Sequence, residues 1–304
     1  ARLDGTSWRG GCTPVLTGGR EAGEKRKDSW EKQCILSMMF RHVSHVFLFL
    51  FSGLCGAVVN AQDQIIPRPV SVRVEAKGAA TPVKLDEGMR IVCKEKDGEF
   101  RRQAHLLQQF LSRGTGLALD GAGGTGIIRV VKDAALKQYG PEAYRLEAAP
   151  GNIVISAATP KGVYYAGQSL AQMLPAAFFN NGVDKKSVSW NVAVKPFSIL
   201  DYPRFAWRAF MLDEARHFFG EEEVKRLIDQ MGLLKMNVLH WHLSDDAGWR
   251  IQIKKYPKLT SVGGKRRDTE IETWGSGKYE GRPHEGFYTQ EQVKRIVRYA
   301  ADRN

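Results

Sequence analysis

The chain has 304 residues, 43% hydrophobic and 26% charged, which excludes a disordered polypeptide and leaves room for about two domains. Its 45 Lys and Arg against 33 Asp and Glu give a net charge of +12. The basic residues are spread along the chain, with triple runs only at Lys25-Arg26-Lys27 and Lys265-Arg266-Arg267, and no nucleic-acid-binding motif accompanies them. No nucleic-acid partner is therefore expected.

Residues 1–37 have no apolar periodicity and begin with Ala1, so they are expected to be upstream sequence that is not part of the native protein. Residues 38–61 open with Met38, Met39 and Arg41, continue through an apolar core, and end on small residues at Val59 and Ala61. That order is the pattern of a cleaved secretory signal, with cleavage near Ala61 and export as the consequence. The rival is a membrane anchor from Val43 to Val59, which sits at the lower length limit for a span and contains Ser44, His45 and Ser52. After processing no stable membrane span is expected. Of Cys12, Cys34, Cys55 and Cys93, only Cys93 would remain, and no pair has zinc or redox spacing.

From residue 62 to 197 the pattern is that of a small α+β domain. Val70, Val72 and Val74 alternate as in a half-buried strand. Phe100, Leu107, Phe110 and Leu111 share a helical face, which Gly114 and Gly116 terminate. The Gly-rich run 121–126 precedes a strand at Ile127–Val131 and lacks the Lys-Ser/Thr of a phosphate loop, so it is expected to be a turn. Strands follow at Tyr144–Glu147 and Ile153–Ile155, then a helix from Gly162 to Leu174. Pro196 to Pro203 is expected to be a linker.

Residues 198–304 carry a different rhythm. A strand leads to the charged turn Asp213-Glu-Ala-Arg216-His217, and a helix follows from Glu221 to Lys235 with Val224, Leu227, Ile228, Met231 and Leu234 on one stripe. A second strand, Asn237–Leu243, leads to Asp245-Asp246. The loop 260–288 is long and polar, and Thr289-Gln-Glu-Gln292 is a capping box that opens another helix. Polar residues just past the carboxyl ends of successive strands are where a (β/α) barrel keeps its site. The expected fold class is α/β: a small α+β domain, then the first two βα units of a (β/α)8 barrel, truncated relative to the roughly 250 residues a barrel needs.

Arg216 can hold vicinal hydroxyls or a carboxylate through two parallel bonds, or it can be an ion-pair partner of Asp213 or Asp245. Adjacent residues on an extended chain point oppositely, so only one of Asp245 and Asp246 is expected to face a pocket. His240 and His242 form a His-x-His whose rings share one face of a strand, the arrangement of a metal-dependent hydrolase, but the acidic loop after it completes no ligand set. No cofactor and no metal are expected. Trp241 and Trp249 suit either a sugar platform or a core.

Leu212-Asp-Glu-Ala-Arg-His-Phe218, Asn237-Val-Leu-His-Trp-His-Leu-Ser-Asp-Asp246, Tyr256-Pro-Lys-Leu-Thr260 and Gly286-Phe-Tyr-Thr-Gln-Glu-Gln-Val293 closely resemble glycoside hydrolase family 20, the β-N-acetylhexosaminidases. Tyr144-Arg-Leu146 and Lys161-Gly-Val-Tyr-Tyr-Ala-Gly-Gln-Ser-Leu170 resemble its small domain, so the likeness covers most of 64–304. The resemblance implies release of terminal β-linked N-acetylglucosamine or N-acetylgalactosamine from an oligosaccharide, with retention and with the sugar's own acetamido oxygen as nucleophile. It implies that Arg216 grips sugar hydroxyls and that Asp245 bonds a downstream histidine and supports the acid. Asp213, His217, Asp246 and His242 are expected around them. The family's Asp-Glu pair lies on a later strand and is not in this sequence, so the chain alone is expected to be inactive and, with two of eight strands, aggregation-prone. The alternatives are a non-catalytic carbohydrate-binding protein and a metal-dependent hydrolase using His240 and His242.

Overall fold

The computed structural model describes residues 64–304 except 76–81, 122–123, 125 and 274. The upstream segment, the signal, Cys12, Cys34, Cys55 and part of the Gly-rich turn lie outside the described residues. Among the described residues no helix is long and apolar enough to cross a membrane.

The first half is built on strands β1 (Ser71–Val74), β2 (Val83–Leu85), β3 (Met89–Cys93), β4 (Gly126–Lys132), β5 (Tyr144–Ala149), β6 (Asn152–Ala157), β7 (Trp190–Ala193) and β8 (Phe197–Asp201). Six form one sheet in the order β1-β8-β5-β6-β4-β3, antiparallel from β1 to β6 and parallel from β6 to β3. β2 and β7 pair separately. Helix α1 (Gly98–Thr115) begins where the Asp97 side chain accepts from the Glu99 N–H. It ends at Gly116, whose φ of 78° is left-handed and open to a residue without a Cβ. Helix α2 (Pro160–Met173) has Thr159 as its side-chain cap and proline in its first turn. Leu107 and Leu111 of α1 and Val163 and Leu170 of α2 share one core with Ile128, Leu146, Ile153 and Ile155 of the sheet. Alternation along β5 and β6 puts the apolar side chains on that face.

The linker expected between Pro196 and Pro203 is instead strand β8, paired on both edges, to β1 and to β5. Both prolines lie outside it, and Phe197 and Ile199 alternate into the core. Residues 198–201 therefore belong to the sheet of the small domain rather than to the second half.

That second half opens with β9 (Ala209–Asp213), helix α3 (Glu221–Leu233) and β10 (Val238–His242), a parallel βαβ unit in which His242 lies opposite Asp213. β9 and β10 pair only with each other among the described residues. Short pairs follow: β11 (Ser244–Asp245) with β12 (Gly248–Trp249), and, after the single-turn helix α4 (Lys258–Ser261), β13 (Lys265–Arg266) with β14 (His284–Glu285). Helix α5 (Gln290–Ala301) closes the order. Val224 and Ile228 of α3 and Ile296 of α5 form a second core with Tyr288, flanked by Leu212, Leu239 and Trp241 of the strands. Glu221 at the start of α3 bonds Arg295 of α5 through both oxygens, at 2.9 and 2.7 Å. That pairing, with Lys225, holds its carboxyl down at about 2. The acidic helix start thus joins two helices as well as opposing the dipole.

Candidate active site

Arg216 lies three residues past the carboxyl end of β9, in a turn made by its own neighbours. The Asp213 carboxylate accepts from the Arg216 backbone N–H at 3.1 Å and from Nη1 at 3.2 Å. The same Nη1 is 2.6 Å from Asp245 Oδ2, just beyond β10. The ion pairs weighed for Arg216 therefore both exist, and they use one corner of the guanidinium. Nε and Nη2 make no hydrogen bond to a described residue, but Nη2 has a longer ion pair with Asp246, at 3.8 Å. The side chain is 47% exposed, so that outer edge faces solvent. Desolvation works against the charge, but Asp213, Asp245 and Asp246 outweigh it and hold Arg216 above its ordinary value.

Asp245 accepts from the Asp246 backbone N–H at 2.8 Å and from His242 Nε2 at 2.9 Å. These two bonds, then Arg216, hold its carboxyl below the usual range. With its proton on Nε2, His242 donates to Asp245, and its 3.3 Å approach to Arg216 Nη1 is proximity only. The imidazole held by Asp245 here is thus His242, three residues upstream. Asp246 is 67% exposed, its carboxylate lies 3.8 Å from Arg216 Nη2, and it lines the same open cavity as Asp245, so both neighbours face the cluster rather than only one. Arg216, Asp213, Asp245 and His242 come together. His217 does not join them: its ring meets His284 edge-on at 5.4 Å. His240 stands 6.2 Å from His242, and among the described residues no three His, Cys, Asp or Glu side chains form a metal-holding group. Trp241 packs edge-on to Tyr288 at 4.8 Å, and Trp249 Nε1 donates to the Ile251 carbonyl. Trp241 is part of the packing, whereas Trp249 is half-buried and lines an open cavity with Asp245, Asp246 and Tyr256.

Three residues behind this cluster escape a reading of motifs. Glu214 is fully buried, accepting from Tyr288 Oη at 2.6 Å and from the Phe219 N–H at 3.2 Å. Arg250 is fully buried and donates to four carbonyls. Arg266 donates to the Ala247 and Arg216 carbonyls and so ties the β10 turn to the β9 turn. The one sequence signal for Arg250 is its glycine surround: a Cβ on Gly248 would sit 2.4 Å from the guanidinium carbon.

The family model described as glycosyl hydrolase family 20, domain 2, matches residues 62–202, and the one for the catalytic domain of that family matches 205–304. A β-hexosaminidase of Porphyromonas gingivalis is 41% identical over 162 residues, covering 53% of this chain and 19% of the relative. A β-hexosaminidase of Vibrio furnissii is 49% identical over 114 residues, covering 37% of this chain and 18% of the relative. The solved family 20 β-N-acetylhexosaminidase of Streptomyces coelicolor superposes with a TM-score of 0.64 at 37% identity, over 80% of this chain and 44% of that one. The chain spans about a fifth of the length of those two curated relatives. Two models of one family account for nearly all of residues 62–304, in order and without overlap, and the chain belongs to glycosyl hydrolase family 20.

Proposed function

We propose that this chain carries the sugar-gripping part of an exported exo-β-N-acetylhexosaminidase, acting on terminal β-linked N-acetylglucosamine or N-acetylgalactosamine. The observation that carries this reading is the state of Arg216: anchored at Nη1 by Asp213 and Asp245, with Nε and Nη2 free of hydrogen bonds to described residues, Asp246 3.8 Å from Nη2, and the side chain 47% exposed at the carboxyl end of the first strand of this half. A guanidinium so held offers two parallel donors to vicinal hydroxyls without having to be ordered on binding.

In the proposed reaction the acetamido oxygen of the bound sugar attacks its own anomeric carbon. The glycosidic bond breaks, the leaving oxygen takes a proton from a general acid, and water then opens the oxazolinium ring. Two displacements at one carbon retain its configuration. Asp245, kept ionised, holds an imidazole and steadies Arg216. The acid is read as a carboxyl of the family's Asp-Glu pair, which the resemblance puts on a strand later than those of residues 205–304. Purified residues 1–304 are therefore expected to bind N-acetylglucosamine but to leave a chromogenic N-acetyl-β-glucosaminide uncleaved above a vector control. Arg216→Lys, which loses the fork, should weaken that binding about 10-fold or more, the worth of one charge-assisted hydrogen bond. Failure of the wild type to bind the sugar would remove the reading, and hydrolysis would show that the acid lies within the chain. Export rests on the charge and apolar pattern of residues 38–61. The exported protein should begin at or beside Gln62, and an amino-terminal sequence starting at Ala1 would overturn that.

A further inference from the structure

Arg250 is among the largest fully buried side chains, yet it makes no ion pair with a described residue. A guanidinium taken out of water needs compensation, and here carbonyl dipoles supply it. Nε donates to the Glu214 carbonyl at 3.0 Å and Nη2 to the Ala215 carbonyl at 2.9 Å. Nη1 donates to the Gly264 carbonyl at 2.8 Å and to the Gly286 carbonyl at 3.1 Å. The first two carbonyls belong to the residues immediately before Arg216. The other two lie at the two ends of the long loop. Burial, then the nearby charge of Arg266, hold the Arg250 guanidinium below its ordinary value.

The backbone on either side of Arg250 fits the same purpose. Its N–H donates to the Leu243 carbonyl at the end of β10, and its carbonyl accepts from the Tyr288 N–H at 2.7 Å. One residue therefore touches the β9 turn, the end of β10 and both margins of the loop. Three N–H groups of the β9 turn depend on side chains held in this frame: Arg216 on Asp213, Phe218 on His284 and Phe219 on Glu214. Without the guanidinium, the Glu214 and Ala215 carbonyls would be buried with no donor, and the turn would have to move to find one.

We propose that Arg250 is a positioning residue: it fixes the backbone of Glu214 and Ala215 and through it sets the direction of Arg216. The proposal rests on reading Arg216 as the residue that grips the sugar, and its test separates the two ideas. In the full chain, Arg250→Met should speed amide exchange at Arg216, Phe218 and Phe219 by about 10-fold or more while the amides of α1 keep wild-type rates, because local opening is measured apart from global unfolding. Arg250→Lys, a point charge without the fork, should fall between the two. Gly248→Ala is the second route, since its Cβ would press on the guanidinium and leave the charge in place. It should give the same local pattern. N-acetylglucosamine titrated into each protein and followed by NMR should show a dissociation constant about 10-fold higher in the folded signals. A purely structural role would instead add unfolded signals and leave the constant of the folded ones unchanged. Unchanged exchange at the three amides, exchange rising equally in α1, or an unchanged constant would each overturn the proposal. If wild type binds no sugar, the hexosaminidase reading falls, and the exchange rates alone decide whether Arg250 holds the turn.

Discussion

Glu214 stands one residue from Asp213 and lives in a different medium. Asp213 reaches solvent beside Arg216, whereas Glu214 has no exposed surface and lies against Tyr288, which is equally buried. Desolvation raises its carboxyl above the ordinary 4.5, and the bonds from Tyr288 and Phe219 recover part of the charged form. An acid whose folded value is raised favours the protonated form in the folded state. Its contribution is greatest below the ordinary value and is lost as pH rises through the raised one. The contribution of Glu214 should therefore decline as pH rises above about 4.5, so Glu214→Gln should show a smaller loss of stability over that rise than wild type in urea unfolding followed at several pH values. Tyr288→Phe removes the 2.6 Å donor and should cost about 1.5–3 kcal/mol at pH 7, where the carboxyl is most charged, and nearer 1 kcal/mol at pH 4. Equal costs at the two pH values would show that Glu214 does not titrate as described. The burial of Glu214 was not legible in the sequence, because a carboxylate just past a strand ordinarily marks a solvated turn, and its partner Tyr288 is 74 positions away.

Elements were legible where a local signal defines them. The box at Thr289 is reciprocal: Gln292 N–H donates to Thr289 Oγ1 at 3.2 Å, and Thr289 N–H donates to Gln292 Oε1 at 2.8 Å. The stripe of α3 at Val224, Ile228 and Met231 and the stop of α1 at Gly116 are of the same kind, since the residues concerned lie within a turn or two of each other, but Leu234 is 44% exposed just past α3 and Gly114 lies inside α1 instead of ending it. β2, β3, β7 and β8, of three to five residues, were not anticipated. β8 shows the competing signal most clearly. Two prolines frame it and argue for a linker, but neither has to donate within the ladder, so pairing to β1 and β5 proceeds between them. At the site, the grouping of Arg216 with Asp213 and Asp245 was legible because strand ends place them at one level. Arg250 was not, because its four acceptors are main-chain carbonyls, which every residue carries and no motif distinguishes.

Across the described residues, the first half and the second are joined by buried polar groups. Lys235, just past α3, reaches Asp201 of β8 at 2.6 Å and Tyr144 of β5 at 3.0 Å. Tyr144 gives its single proton to Asp201 at 2.8 Å and so accepts from Lys235 and from Ser169 of α2. Beside this group, Arg208 bonds Glu142, Asn237 donates to the same carboxylate at 3.1 Å, and Gln172 of α2 donates to the Leu233 carbonyl at 2.8 Å. Lys235 also stands at a left-handed φ of 59°, a conformation that costs a residue with a Cβ and that the ion pair helps to hold. Desolvation lowers the lysine's value and the Asp201 charge opposes that, so the pair depends on both partners staying in place. Replacing the pair with apolar groups and breaking it are different experiments. Lys235→Met alone leaves Asp201 buried with Tyr144 as its main donor and should cost about 3–5 kcal/mol. It should also split a single calorimetric transition into two, one for each half of the described chain. Lys235→Met combined with Asp201→Asn removes both charges and should recover most of that loss. A double variant no better than the single one would mean that the lysine acts through packing and backbone conformation, and that the two halves are coupled by apolar contact instead of by this pair.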